Sequence, residues 1–106
     1  MSAVTPEARV KKKIKAVLDY YSNHNIYVFM PVPGGFGAPT LDYLGFIKGR
    51  GFAIEAKRPG GKPTPRQERT IKQIENARAA VFVIDGDAGL AELDAWLFSV
   101  VRGTIQ

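Results

Sequence analysis

The apolar positions of this chain follow two different periods, and the alternation between them sets out the elements. In residues 6–21 they recur as Val10, Ile14, Val17, Leu18 and Tyr21, the three-and-four spacing that lines one face of a helix. Thr5-Pro6 ahead of them offers a hydroxyl N-cap and a proline at the first helical position, and "SNHN" (22–25) stops the run. "IYVFM" (26–30) and "LDYLGFI" (41–47) are β-branched and aromatic, which predicts strands. "PVPGGFGAP" (31–39) between them excludes regular structure. "KGRG" (48–51) predicts a hairpin turn into a third strand over 52–57, and "RPGGKP" (58–63) a flexible loop. Thr64-Pro65 repeats the helix-start signal, with Ile71 and Ile74 as the apolar stripe. "AAVFVID" (79–85) is continuously apolar and predicts a strand buried on both faces. Asp87 is expected to cap a last helix that turns Leu90, Leu93, Leu97 and Val100 or Val101 inward. The order αβββαβα, a hairpin followed by a βαβ unit, predicts an α/β fold with a mixed sheet flanked by helices.

Length and composition narrow the picture. One hundred and six residues suffice for one domain with one core and are too few for two, so residues 1–106 are expected to be one domain. No apolar run approaches the ~20 residues that span a bilayer, and "MSAVTPEARVKKKIK" has no apolar stretch behind its charges, unlike a signal peptide. The chain has no cysteine, which excludes disulfides and thiolate metal sites. A cytoplasmic setting is the default expectation. The net charge of +5 favours polyanionic partners. That excess is concentrated in residues 48–78, where nine Lys and Arg face only Glu55, Glu68 and Glu75.

The third strand sits inside that basic region and carries charges on an apolar background. Phe52, Ile54 and Ala56 share one face of it, and Ala53, Glu55 and Lys57 the other. Across the hairpin, Asp42 interrupts a run otherwise made of Leu41, Tyr43, Leu44, Phe46 and Ile47. The hairpin permits Asp42 to lie beside Glu55. Two clustered carboxylates repel unless a cation or proton intervenes. Hard oxygen ligands on a sheet suit Mg²⁺ or Mn²⁺, and a lysine beside such an ion can orient water and offset charge developing on a phosphate. The plain alternative is a Glu55–Lys57 ion pair.

Two helical residues carry a similar ambiguity. Glu7 falls on the apolar stripe of the first helix, three residues before Val10; either it points inward and needs a partner, or it complements the helix dipole in the first turn. Gln67 lies one turn before Ile71, and Thr64-Pro65-Arg66-Gln67 also fits a capping box. The two roles are compatible.

Taken together, a helical Glu7, Asp42 after a Gly/Pro loop, Glu55 and Lys57 as E-x-K on a strand, and Gln67 at a following helix start resemble the VRR-NUC branch of the PD-(D/E)xK nucleases. "GGFGAPTLDYLGF" and "EAKRPGGKPTPRQ" are similar to that family's signatures. The resemblance implies a restriction-endonuclease-like core and a catalytic set of Glu7, Asp42, Glu55, Lys57 and Gln67. It implies Mg²⁺ or Mn²⁺ held by Asp42, Glu55 and the backbone carbonyl of Ala56, with Lys57 positioning water. It further implies a phage or bacterial homodimer that cuts branched DNA, four-way junctions above all, in the bacterial or phage-infected cytoplasm. One departure is visible: Pro39-Thr40-Leu41, not a proline alone, precede Asp42. The alternatives are a non-catalytic nucleic-acid-binding module on the same fold and a nuclease of other DNA structures.

Arg58, Lys62, Arg66 and Arg69 cluster just past the third strand and are expected to contact DNA phosphates. His24, the only histidine, sits in a polar helix end. "PGGFG" (33–37) is expected as a loop near the site, with DNA contact as its functional alternative, "DGD" (85–87) as a turn with a cap, and "KKK" (11–13) as a solvated helix surface, with DNA backbone contact as the alternative. Val100, Val101, Ile105 and Phe36 are candidates for interface area.

Overall fold

The computed structural model describes residues 4–32 and 38–103; the "PGGFG" segment with Phe36, and Ile105, lie outside them. The elements run α1 (Pro6–Tyr20), β1 (Ile26–Phe29), β2 (Tyr43–Ile47), β3 (Arg50–Ala56), α2 (Pro65–Asn76), β4 (Ala80–Ile84) and α3 (Asp87–Arg102), the expected αβββαβα order. The four strands form one sheet in the order β1-β2-β3-β4. The first two pairings are antiparallel and β3–β4 is parallel, so the sheet is mixed.

Local chemistry accounts for the boundaries. The Thr5 hydroxyl accepts from the Ala8 N–H at 3.1 Å and opens α1. At the other end Asn25 takes a positive φ of 56°, a conformation asparagine tolerates better than most residues. The β2–β3 turn is made by Lys48 and Gly49, both at positive φ, and closes on the Ile47–Arg50 pair. This is the two-residue turn whose twist matches antiparallel strands.

One sheet face packs against α1 and α3. Val10, Ile14, Leu18 and Tyr21 meet Tyr43, Ile47, Phe52, Ile54, Ala56 and Ile84 of the sheet and Leu90, Leu93, Leu97 and Val100 of α3. The two helices' stripes are those expected from their spacing. Tyr21 is buried but keeps its hydroxyl bonded to the Asp94 carboxylate at 2.8 Å. Trp96 of α3 packs edge to face on both Phe52 and Phe82 of the sheet.

The second face carries α2, and several expectations change there. Ile71 and Ile74 of α2 are only partly covered; its buried residue is Thr70, whose hydroxyl donates to the Arg66 carbonyl. β4 is not buried on both faces: it lies at one edge of the sheet, and Val83 is exposed. The continuous apolar run misleads because α2 covers only part of that face. Asp87 is the first residue of α3 rather than its cap, which is Gly86; the Asp87 carboxylate instead meets Lys13 at 3.4 Å. The 58–63 loop is tied down, since the Gly60 N–H donates to Asp85 at 3.1 Å and the Gly61 N–H to the Arg58 carbonyl. Among the described residues, no helix is long and apolar enough to cross a membrane.

Candidate active site

The site grows out of the β2–β3 hairpin. Tyr43 pairs with Ile54, so one further step along the register sets Asp42 opposite Glu55. Alternation then sends Ala53, Glu55 and Lys57 to the α2 side of the sheet, away from the main core. Asp42 is fixed by the strand itself: its Oδ2 accepts the Ala56 N–H at 2.8 Å. Ala56 thus supplies a backbone clamp for Asp42 and is itself buried.

Glu55 is only 5% exposed. Lys57 Nζ stands 3.5 Å from Glu55 Oε2, and the Gln67 Nε2 donates to the same oxygen at 2.9 Å. Gln67 fills both roles suggested by its position. Its Oε1 accepts the Thr64 N–H at 3.0 Å and its own N–H donates to the Thr64 hydroxyl at 3.2 Å, a complete capping box. The cap decides the orientation of the amide. The Thr64 N–H requires the oxygen, which leaves the NH₂ to face Glu55. The start of α2 and the end of β3 are therefore locked together by one side chain.

Burial, and then the neighbouring Asp42 carboxylate, push the Glu55 carboxyl above its ordinary value, against the lowering pull of Lys57 and a backbone bond from Asp42. The Tyr43 hydroxyl is likewise raised, by burial and then by Asp42. Two acids facing each other across a strand pair, one of them reluctant to ionise, have the electrostatics of a cation site. Among the described residues no group of three or more His, Asp or Glu converges on a metal position. Asp42 and Glu55 supply two carboxylates, which is as many as a magnesium site commonly takes from protein, the rest coming from carbonyls, waters and substrate oxygens. The two carboxylates fit a hard divalent ion.

Glu7 is not an inward carboxylate. Its side chain is about half exposed in the first turn of α1, and it pairs with Lys11 at 3.7 Å. Lys11 in turn stands 3.9 Å from Asp42 Oδ1, so Glu7 reaches the site through a lysine. Lys11 is the residue that the sequence reading missed, because "KKK" reads as a solvated surface. The available signal was its position four residues after Glu7 and next to the core residue Val10. Lys11, Met30, Pro31, Val32, Thr40, Leu41, Asp42, Glu55 and Gln67 line one cleft of about 370 Å³.

Arg58, Lys62, Arg66 and Arg69 are all exposed, on the loop after β3 and the first turns of α2. They flank the Glu55–Lys57–Gln67 group without joining it. His24 lies apart, its ring against Tyr21.

A hairpin that holds Asp42, Glu55 and Lys57 at one end of a mixed sheet defines a nuclease-like fold. The chain is similar to a solved structure titled "VRR_NUC domain", with 28% identity and a TM-score of 0.63, over 84% of this chain and 94% of that one. The chain therefore has the VRR-NUC domain fold, and the match supports the family resemblance carried by its sequence. No family model matches the sequence. No curated protein matches it either.

Proposed function

We propose that this chain is a divalent-metal-dependent, structure-selective DNA endonuclease that hydrolyses phosphodiester bonds, acting as a homodimer on branched DNA such as four-way junctions. The observation that carries the reading is the convergence of Asp42, Glu55, Lys57 and Gln67 on one edge of a basic surface. Asp42, Glu55 and the Ala56 carbonyl are the residues that would hold Mg²⁺ or Mn²⁺, which when bound supplies Lewis-acid polarisation of the scissile phosphate.

The remaining work belongs to the chain's own groups. The Lys57 ammonium orients the attacking water and offsets negative charge that grows on the phosphate. Gln67 holds the Glu55 carboxylate at a fixed angle, and the Ala56 N–H does the same for Asp42. Lys11 keeps a positive charge at the open side of Asp42, with Glu7 steadying it. Arg58, Lys62, Arg66 and Arg69 grip the sugar–phosphate backbone and set affinity rather than sequence preference. A two-fold symmetric junction matches two copies of a one-site domain related by a two-fold axis. The setting proposed for this PD-(D/E)xK-type domain is a bacterial or phage-infected cytoplasm.

The test is cleavage of end-labelled four-way junctions, forks, flaps and linear duplex with Mg²⁺ or Mn²⁺, repeated in EDTA. Junction cutting that needs the metal and disappears in Glu55→Ala is the expected result. Absence of metal-dependent cutting on every substrate overturns the nuclease reading, and cutting of flaps or duplex in preference to junctions overturns the substrate.

A further inference from the structure

The sheet face that bears the site does not end at the site. α2 covers that face over β4 and the end of β3, through the Gln67–Glu55 bond and its packing on β4. Among the described residues, no helix covers the same face over β1 and β2. Tyr27 and Phe46 are paired residues on it, 66% and 59% exposed. Phe29, 52% exposed, pairs with Leu44. Along β2 the same-face positions step from Phe46 through Leu44 to Asp42, so the aromatic rings lead into the acidic pair over roughly 13 Å of strand. Three aromatic rings held in solvent on a rigid sheet are an unusual use of apolar surface.

We infer that Tyr27, Phe29 and Phe46 form a stacking platform for unpaired bases of the DNA strand that enters or leaves the site. This rests on the nuclease reading and deepens it with one substrate feature: bases unstacked or unpaired at the branch point, next to the cut. Every base offers a π-face, so aromatic side chains on an open sheet bind unpaired strands without reading sequence, whereas a fully paired duplex hides those faces. The surrounding charge is complementary. Arg66 and Arg69 stand exposed on α2, the helix that shares this face, and Lys11 lines the cleft at its end. A second copy of the chain is the competing occupant. Rings of roughly 150–250 Å² each, half to two-thirds exposed, offer roughly 400 Å², about half of the ~800 Å² each partner gives to an ordinary stable interface.

The experiment is equilibrium binding in EDTA, where no cutting occurs, of labelled oligo-dT, a forked DNA with unpaired arms, and blunt duplex. The variant is Tyr27→Thr/Phe46→Thr, which replaces the rings by small β-branched residues that favour strands; circular dichroism and thermal melting check its fold, and Tyr27→Trp serves as a second, aromatic-conserving variant. The expected result is a loss of roughly tenfold to a hundredfold for oligo-dT and fork, less than about twofold for duplex, and near wild-type binding for Tyr27→Trp. Equal losses on all three DNAs, or none, overturn the platform. So does sedimentation showing that the double variant turns a wild-type dimer into a monomer, which makes the patch a subunit interface. Metal-dependent cleavage of the junction by the wild type, measured separately, shows whether the nuclease reading stands when the platform fails.

Discussion

The two faces of the sheet are built to different ends. The face under α1 and α3 is closed and apolar, with Ile14, Ile47, Ile54, Leu93 and Leu97 wholly out of solvent. The face under α2 has a short cover with one buried residue, a buried carboxylate, and exposed aromatic rings beyond. The first face secures the hairpin geometry. The second spends that rigidity on holding two acids close together, an arrangement that repels itself. The difference teaches that β3 serves both faces through alternation alone. Ile54 and Ala56 anchor it in the core, and Glu55 between them is thereby aimed at the site with almost no freedom to turn away.

The largest expected effects separate the two faces. Lys57→Ala removes the charge beside Glu55 and is expected to lower the single-turnover cleavage rate by roughly 10²–10³-fold. Leu97→Ala, on the closed face, is expected to cost about 2–5 kcal/mol in urea unfolding while the fraction still folded cuts at the normal rate. If Leu97→Ala slows cutting by the folded protein as much as Lys57→Ala does, the division of labour between the faces is wrong.

Gly45 sharpens the same division from within the hairpin. A Cβ there would meet the Tyr27 carbonyl oxygen at 2.5 Å and the Phe52 ring at 2.8 Å. The first of these is backbone and cannot rotate away. Gly45→Ala is therefore expected to cost roughly 1–3 kcal/mol in denaturant unfolding, by prising β1 from β2. Wild-type stability in that variant would mean that the β1–β2 pairing has more give than the closed face implies.

A smaller effect tests how α2 serves the site. Thr64→Ala removes the hydroxyl of the capping box, at about 1 kcal/mol. Because Gln67 belongs to both the cap and the Glu55 contact, the rate of cutting is expected to fall several-fold as well. An unchanged rate would make the Gln67 bond to Glu55 incidental.

Much of this was legible in the sequence because it rests on local rules. The helix starts at Thr5 and Thr64, the stripes of α1 and α3 and the β2–β3 hairpin are all short-range signals, and the hairpin alone placed Asp42 within reach of Glu55. The two readings of Gln67 were both visible; that they coexist is a matter of angles. What the sequence hid was long-range. Lys11 meets Asp42 across 31 positions, and Val83 is exposed because of where α2 happens to lie. An apolar run cannot say which of its faces will be covered, and a lysine triplet cannot say which member folds inward.

The smallest effect concerns the tension in the site itself. Burial and Asp42 raise the Glu55 carboxyl above its ordinary value of 4.5 in the folded protein. Below that ordinary value the group is protonated in both folded and unfolded chains and has no influence on stability through ionisation. As the pH rises past it, the unfolded chain ionises freely and the folded one resists, so native stability is lost until the raised folded pKa is passed, and the deficit then persists at neutral pH. Glu55→Gln has no carboxyl to ionise and keeps an amide oxygen that can accept from Gln67. In EDTA, the variant is expected to melt slightly above the wild type at pH 7, with the gap closing as the pH falls toward 4. Saturating Mg²⁺ should reverse the order, since an ion that binds only the folded wild type adds about 2.7 kcal/mol at a hundred times its dissociation constant. A variant that melts below the wild type at pH 7 in EDTA would mean that the Lys57 ion pair outweighs burial and the Asp42 repulsion, and that Glu55 is at ease in the site without a cation.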